Sequence, residues 1–232
     1  MKKIAILQSN YIPWKGYFDL INMVDEFIFY DEVQYTKNDW RNRNKIKTPQ
    51  GIQWLTIPVR QESLDQKIKD TKISDKKWNI KHWRTISQNY SKAKYFKDYK
   101  DIFEELYLTC DEEYLSQINY KFITTINEIL EIKTKLRWSS EFELVDGQTE
   151  KLLGICKDCN ADIYLSGPAA KDYFNEDLAK QENIKVEWMD YSGYKEYEQL
   201  NSPFEHGVSI LDLIFNQGAN AKEFMKSFDK SR

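Results

Sequence analysis

Two runs near the amino terminus gather the side chains that hold polar ligands. One is Gln8-Ser9-Asn10-Tyr11-Ile12-Pro13-Trp14-Lys15-Gly16-Tyr17-Phe18; the other extends from Asp31 to Asn44. Indole and phenol rings offer stacking faces, amides offer fixed hydrogen-bond geometry, and guanidinium and ammonium groups offer charge for phosphate. These are the groups needed to hold a base, a sugar and a diphosphate. The candidate substrate-binding residues are therefore Gln8, Tyr11, Trp14, Tyr17, Gln34, Lys37, Trp40, Asn42, Arg43 and Asn44. The same composition also fits a strand-rich surface whose aromatics pack and whose polar groups cap turns. Arg41, Arg43, Lys45 and Lys47 alternate and would share one face of an extended segment. They form either a phosphate-facing cluster or a solvated strand edge blunted by charge.

Groups able to move protons or form covalent bonds are few. Asp31 ends an apolar run and is a candidate base, or an anchor for a hydroxyl or amine; a turn-forming aspartate accounts for it equally well. His82 lies in a helical pattern beside Trp83 and is a candidate general base, although a lone histidine there is more often structural. His206 precedes Gly207 in a loop. Cys156-Lys-Asp-Cys159 has paired-thiol spacing, but two thiols do not close a tetrahedral zinc site, and no metal centre is expected. Ser166-Gly167 follows a strand and precedes a helix starting near Pro168; such a turn exposes backbone N–H groups to an anion, or to water alone. Both residues join the substrate-binding candidates. No Gly-x-Ser-x-Gly elbow, Gly-rich phosphate loop or His-Glu-x-x-His occurs.

These residues need elements to position them. Lys3 to Gln8 reads as a buried strand, Trp14 to Val24 as a helix with Pro13 in its first turn, and Glu26 to Tyr30 as a second strand. Strand, helix and strand in so short a span indicate a parallel βαβ unit, whose first turn opens at the carboxyl edge of the sheet, where α/β proteins place ligands. Pro49-Gln50-Gly51 marks a hairpin within Lys45 to Ile57. Long helical patterns fill 78–132, with Ile80, Trp83, Ile86 and Tyr90 as one stripe and Leu115, Ile118, Phe122 and Ile126 as another. Strands are expected at Lys135–Trp138, Asp162–Leu165 and Ile184–Met189. Helices are expected at Glu150–Asn160, Ala169–Lys180 and Ser209–Asn216, the last capped by Ser209. The expected fold is α/β: a mostly parallel, Rossmann-like sheet flanked by helices, with a helical insertion around 78–132 in a single domain over 1–232.

Bulk properties narrow the setting. With 41% hydrophobic and 31% charged residues, the 232-residue chain has a globular composition. A net charge of −3 gives no basic face for a polyanionic helix, so no DNA partner is expected. No apolar run approaches the ~18 residues of a membrane span, so no membrane insertion is expected. Three cysteines make no disulfide framework, and a reducing, cytoplasmic location follows as the expectation.

Longer motifs carry a resemblance. Gln8…Tyr11-Ile-Pro13-Trp14-Lys-Gly16-Tyr17-Phe18, Tyr30-Asp31-Glu-Val33-Gln34-Tyr35-Thr-Lys37, Trp40-Arg-Asn42-Arg43-Asn44 and Trp54-Leu55-Thr56-Ile-Pro58-Val59 resemble the WbqC-like protein family. So do Tyr164-Leu165-Ser166-Gly167, Trp188, Tyr197, Gln199, Phe204 and Ser209-Ile-Leu-Asp212-Leu-Ile-Phe215-Asn216-Gln-Gly218. The likeness implies a role in making or modifying an unusual sugar of O-antigen, lipopolysaccharide or another surface glycan. The expected activity is a transferase moving an acyl or aminoacyl group onto the amine of a nucleotide-linked sugar. Asp31 or His82 would then take the proton, and Asn42, Arg43 and Asn44 would bind phosphate or oxyanion. No cofactor is certain; the co-substrate would be an activated acyl or aminoacyl donor, with tRNA or a carrier protein as candidate bearer. Two alternatives stand beside this. Pro13-Trp14-Lys15-Gly16-Tyr17 occupies the place of the His-x-Gly-His signature of nucleotidyltransferases, with Lys37 and Arg43 to neutralise phosphate, but Trp14 and Tyr17 supply no imidazolium. The other alternative is a non-catalytic binding protein of the glycan pathway.

Overall fold

The computed structural model describes residues 1–229. In chain order the elements are β1 (Lys3–Leu7), α1 (Lys15–Asn22), β2 (Glu26–Phe29), a hairpin of β3 (Arg43–Thr48) and β4 (Gly51–Thr56), and the short pair β5 (Val59–Arg60) and β6 (Lys72–Ile73). Three helices follow, α2 (Trp78–Tyr90), α3 (Phe96–Leu108) and α4 (Leu115–Leu130). After them come β7 (Lys135–Trp138), α5 (Gln148–Asp158), β8 (Ile163–Ser166), α6 (Glu176–Gln181), β9 (Lys185–Trp188) and α7 (Ile210–Gln217). The main sheet runs β7-β2-β1-β8-β9 with every neighbouring pair parallel, and β1 and β2 form the expected βαβ unit with Ile4 opposite Glu26 and Leu7 opposite Phe29. The fold is the expected α/β one, with α2–α4 inserted between the second and third strands of the sheet.

Strand alternation divides the core into two. Ala5, Phe27, Phe29 and Leu165 face the side covered by α1, α2–α4 and α7. Ile4, Ile6, Ile28 and Tyr164 face α5 and α6, where Leu152, Cys156, Cys159 and Ala179 meet them. Period-two patterning on strands buried on both faces requires apolar residues at every position, and the short runs supply them. In α4, Leu115, Ile118, Phe122 and Ile126 are wholly buried, as their spacing predicts. In α2 the stripe is shifted: Ile80 is 48% exposed, while Trp78, His82, Trp83, Ile86 and Tyr90 turn inward. A second correction concerns 169–180, which is two pieces instead of one helix. A 3-10 turn at Pro168–Asp172 ends at Tyr173, and α6 starts afresh because Asn175 Oδ1 accepts from the N–H groups of Asp177 and Leu178 at 3.1 Å each. Ser209 caps α7 as expected, its Oγ accepting from Leu211 N at 3.3 Å. Among the described residues, no helix is long and apolar enough to cross a membrane.

Candidate functional site

From β1 the chain builds the sheet first toward β2 and β7, then returns to the other side of β1 for β8 and β9. The carboxyl ends of β1 and β8 are therefore the point where connections diverge, and such a divergence leaves a crevice. A cleft of about 700 Å³ occupies it, lined by Gln8 after β1, Ser166 and Gly167 at the end of β8, Tyr30 after β2, Arg41, and Gly147, Gln148 and Lys151 at the start of α5. Among the described residues no side chain caps the first N–H groups of α5, but the Glu150 carboxylate shares that first turn, so the positive charge of this wall comes chiefly from Lys151 and Arg41.

Arg41 ties the cleft to the loop after β1. Its guanidinium donates to Asn10 Oδ1 and, at 3.3 Å, to Gln8 Oε1, and it lies 3.5 Å from the Asp39 carboxylate. The loop is pinned from beneath. Asp31, 2% exposed, accepts from Ser9 N at 2.8 Å, Ser9 Oγ at 2.6 Å and Ser116 Oγ at 2.5 Å, while Asn119 donates to Ser9 Oγ and to the Arg41 carbonyl. Burial pushes the Asp31 carboxyl above its usual value, and the three donors oppose that shift. Tyr17 is buried and donates to the Gln8 carbonyl at 2.9 Å.

Beyond the same loop lies a second, mostly apolar pocket of about 300 Å³ lined by Asn10, Pro13, Trp14, Trp40, Asn44, His206 and Gly207. Trp14 rests against Tyr191 and Tyr194, at 5.2 and 5.5 Å between ring centroids. Trp40 rests 5.4 Å from Trp54, with Lys45 Nζ over both indoles and the Arg43 guanidinium 4.2 Å from the centre of Trp54. Gly16 permits this wall, because a Cβ there would lie 2.3 Å from Cζ2 of Trp14. His206 Nδ1 is buried without a hydrogen-bond partner among the described residues, and burial and then the nearby Lys15 charge lower its pKa. Lys15 itself is buried, donates to the Lys195 carbonyl at 3.2 Å, and is brought down to about 8 by burial.

Other expected site residues are placed elsewhere. His82 lies in the core: its Nε2 donates to the Thr56 carbonyl at 3.1 Å, which leaves Nδ1 to accept from Tyr11 at 2.9 Å, and Tyr11 in turn accepts from Tyr107 at 2.7 Å. Burial lowers the His82 pKa to about 4, so the ring is neutral. Neither Asp31 nor His82 lines the cleft or the pocket. Asn42 and Asn44 are buried, donating to Ile57 O and to the Tyr11 and Ile12 carbonyls, and Asn44, which also lines the pocket, thereby holds the loop onto β3. Gln34 is exposed and bonded to Leu64 O, and Lys37 is exposed. The expected basic face is divided: Arg41 belongs to the cleft, Arg43 and Lys45 to the tryptophan pair, and Lys47 is buried against the Pro203 carbonyl. Cys156 and Cys159 are buried free thiols, and burial raises the pKa of each. Among the described residues, no group of three or more His, Cys, Asp or Glu is placed to hold a metal ion. Structure adds Tyr30, Lys151 and His206 to the site. Tyr30 carried a signal as the last residue of the second expected strand and the first of a resembling motif, and His206 as a histidine before a glycine in a loop; Lys151 carried none.

Comparisons with known proteins agree with this picture at the level of family. An uncharacterized protein of Mycobacterium tuberculosis is 48% identical over 227 residues, covering 97% of this chain and 98% of its own length. No solved structure matches. Residues 8–224, which include the pinned loop, the cleft and the aromatic pocket, match one family along almost their whole course, and the chain belongs to the WbqC-like protein family.

Proposed function

We propose that this protein binds a nucleotide-linked amino sugar at the carboxyl edge of its sheet and transfers an acyl or aminoacyl group to the sugar amine, as a step in making a bacterial surface glycan. The observation that carries the proposal is the cleft at the divergence of β1 and β8, where Arg41, Lys151 and the uncapped start of α5 converge on one cavity. A diphosphate needs such convergent positive charge, and a planar guanidinium can hold two of its oxygens at once. Asp31 and His82 act in this reading as positioning residues, the first through Ser9 and the second through Tyr11. The activated acyl donor arrives on a separate molecule, such as an aminoacyl-tRNA or an acyl carrier.

The test is calorimetry of the purified protein with UDP- and dTDP-linked amino hexoses, followed by mass spectrometry of those sugars after incubation with acyl and aminoacyl donors. Binding together with a mass gain on the sugar is the expected result. Pyrophosphate release in place of acylation would replace transfer with nucleotidyl chemistry, and binding without turnover would leave a carrier or scaffold.

A further inference from the structure

We infer that the pocket between Trp14 and Trp40 is the subsite for the pyranose ring of the ligand, with His206 as the group that meets its polar edge. The inference rests on the nucleotide-sugar reading above and assigns its two halves to two cavities. Chemistry separates the two. The cleft beside β8 carries Arg41, Lys151 and a helix start, as an anionic nucleotide requires. The smaller pocket is mostly apolar and walled by two indoles, with Asn10, Asn44 and His206 as the polar side chains of its lining. The C–H faces of a pyranose are apolar and its hydroxyls and amine lie at the rim, so indole walls joined by an imidazole and amides complement it.

Connectivity supports the same order. Arg41 lines the cleft and donates to Asn10, which lines the pocket, so a diphosphate held by Arg41 has the nucleoside on one side and the sugar on the other. At about 300 Å³ the pocket has room for a substituted hexose ring. His206 contributes a ring nitrogen with no partner among the described residues, and burial, followed by the nearby Lys15 charge, lowers its pKa and so favours the neutral ring, which can accept a hydrogen bond. The second wall is held from outside: Lys45 bridges Trp40 and Trp54, which fixes an indole that is itself 41% exposed.

The experiment measures affinity for UDP and for a UDP-linked amino hexose, with the dTDP pair alongside, in wild type, Trp40→Ala and His206→Gln. Trp40→Ala is expected to weaken the nucleotide sugar by about tenfold or more while leaving the free nucleotide within about twofold. His206→Gln should show a smaller loss, also confined to the sugar-bearing ligand. Equal losses for both ligands would place the base in this pocket and overturn the assignment. Unchanged affinity for both would remove the pocket from the site while leaving the proposed function standing. A wild type that binds neither ligand would sink the proposed function and this inference with it. Should Trp40→Ala melt prematurely, diethylpyrocarbonate labelling of the wild type, read at the His206 peptide, decides instead. Protection by the nucleotide sugar alone supports the subsite, and equal protection by the nucleotide overturns it.

Discussion

At the scale of single residues, the molecule is organised by buried aspartates that each accept three hydrogen bonds. Asp19 accepts from Tyr194, Lys226 N and Ser227 N; Asp212 accepts from Tyr90, Tyr197 and Gln199; Asp31 holds Ser9 and Ser116. A buried carboxylate bonded in this way positions its donors, and Asp31, which lines neither cavity, acts on a ligand only through them. Asp31→Ala, which strands two hydroxyls and an N–H, should cost about 3 kcal/mol in urea unfolding. His82 gives a pH signature. Its folded pKa of about 4 lies below the ~6.5 of an unfolded chain, so between these values only the unfolded chain holds the proton. Its contribution is thus complete above about pH 6.5 and falls as the pH drops toward 4, by up to about 3 kcal/mol. His82→Gln, which can keep both hydrogen bonds, should flatten the loss of stability between pH 7 and pH 5; an unchanged slope would show that other groups set it. The residue types around the site were legible in the sequence, but their directions were not. Alternation along 42–45, at the start of β3, separates Asn42 and Asn44 from Arg43 and Lys45, yet nothing local says that the amides face the core, because hydrogen bonds to the Tyr11 and Ile57 carbonyls decide it. Arg41→Lys should weaken nucleotide-sugar binding by about 1–3 kcal/mol, since an ammonium cannot reach Gln8, Asn10 and a phosphate together.

At the scale of elements, close contact between neighbours sets the limits. Gly16, in the first turn of α1, lies directly beneath the Trp14 indole. Gly16→Ala favours the helix by about 1 kcal/mol of propensity and would ordinarily stabilise it. Here the new methyl drives the indole out of the pocket wall, so the expected outcome is a folded protein with impaired sugar binding and an altered near-ultraviolet dichroism; unaltered binding would contradict the tight fit. The strands of the main sheet and most helices were legible within a residue or two, because buried parallel strands are short apolar runs and amphipathic helices keep their period, whereas the two-residue strands β5 and β6 were not. The shift of the α2 stripe was not, since His82 earns its buried place through Tyr11 and Thr56, which are distant in sequence. The break before α6 was signalled by Asn175, a good cap inside an otherwise helical pattern. Cys156 of α5 faces the apolar side of the sheet and Cys159, just past the helix, lies 3.9 Å from Glu26 and Arg137, so Cys156→Ser with Cys159→Ser should lower stability by about 1–3 kcal/mol, chiefly from the hydroxyl placed in the apolar core at 156, and leave ligand affinity unchanged.

At the scale of the whole molecule, the ligand is expected to bridge parts of the chain that are far apart in sequence: the loop after β1, the segment before β3, the end of β8 and the stretch around His206. A ligand that binds only the folded form, at about a hundred times its Kd, adds about 2.7 kcal/mol, so the nucleotide sugar should raise the melting temperature several degrees above that of the free protein, and more than the nucleotide does at the same concentration. The arrangement of the sheet also governs how the chain is made. β1 and β2 leave the ribosome almost together, but the strand pairs β3–β6 and the helices α2–α4 together put about a hundred residues between β2 and its other neighbour β7, and β8 is later still. At about 5–20 residues per second, the first two strands wait on the order of ten seconds with both outer edges unpaired. During that interval the apolar run Ile4-Ala5-Ile6-Leu7 is a nascent-chain hazard, open to mispairing with another copy on a crowded polysome. Slower translation or a lower growth temperature does not shorten the wait, whereas a chaperone that shields the first thirty or so residues removes the risk, and yield in a host should follow the supply of such a chaperone.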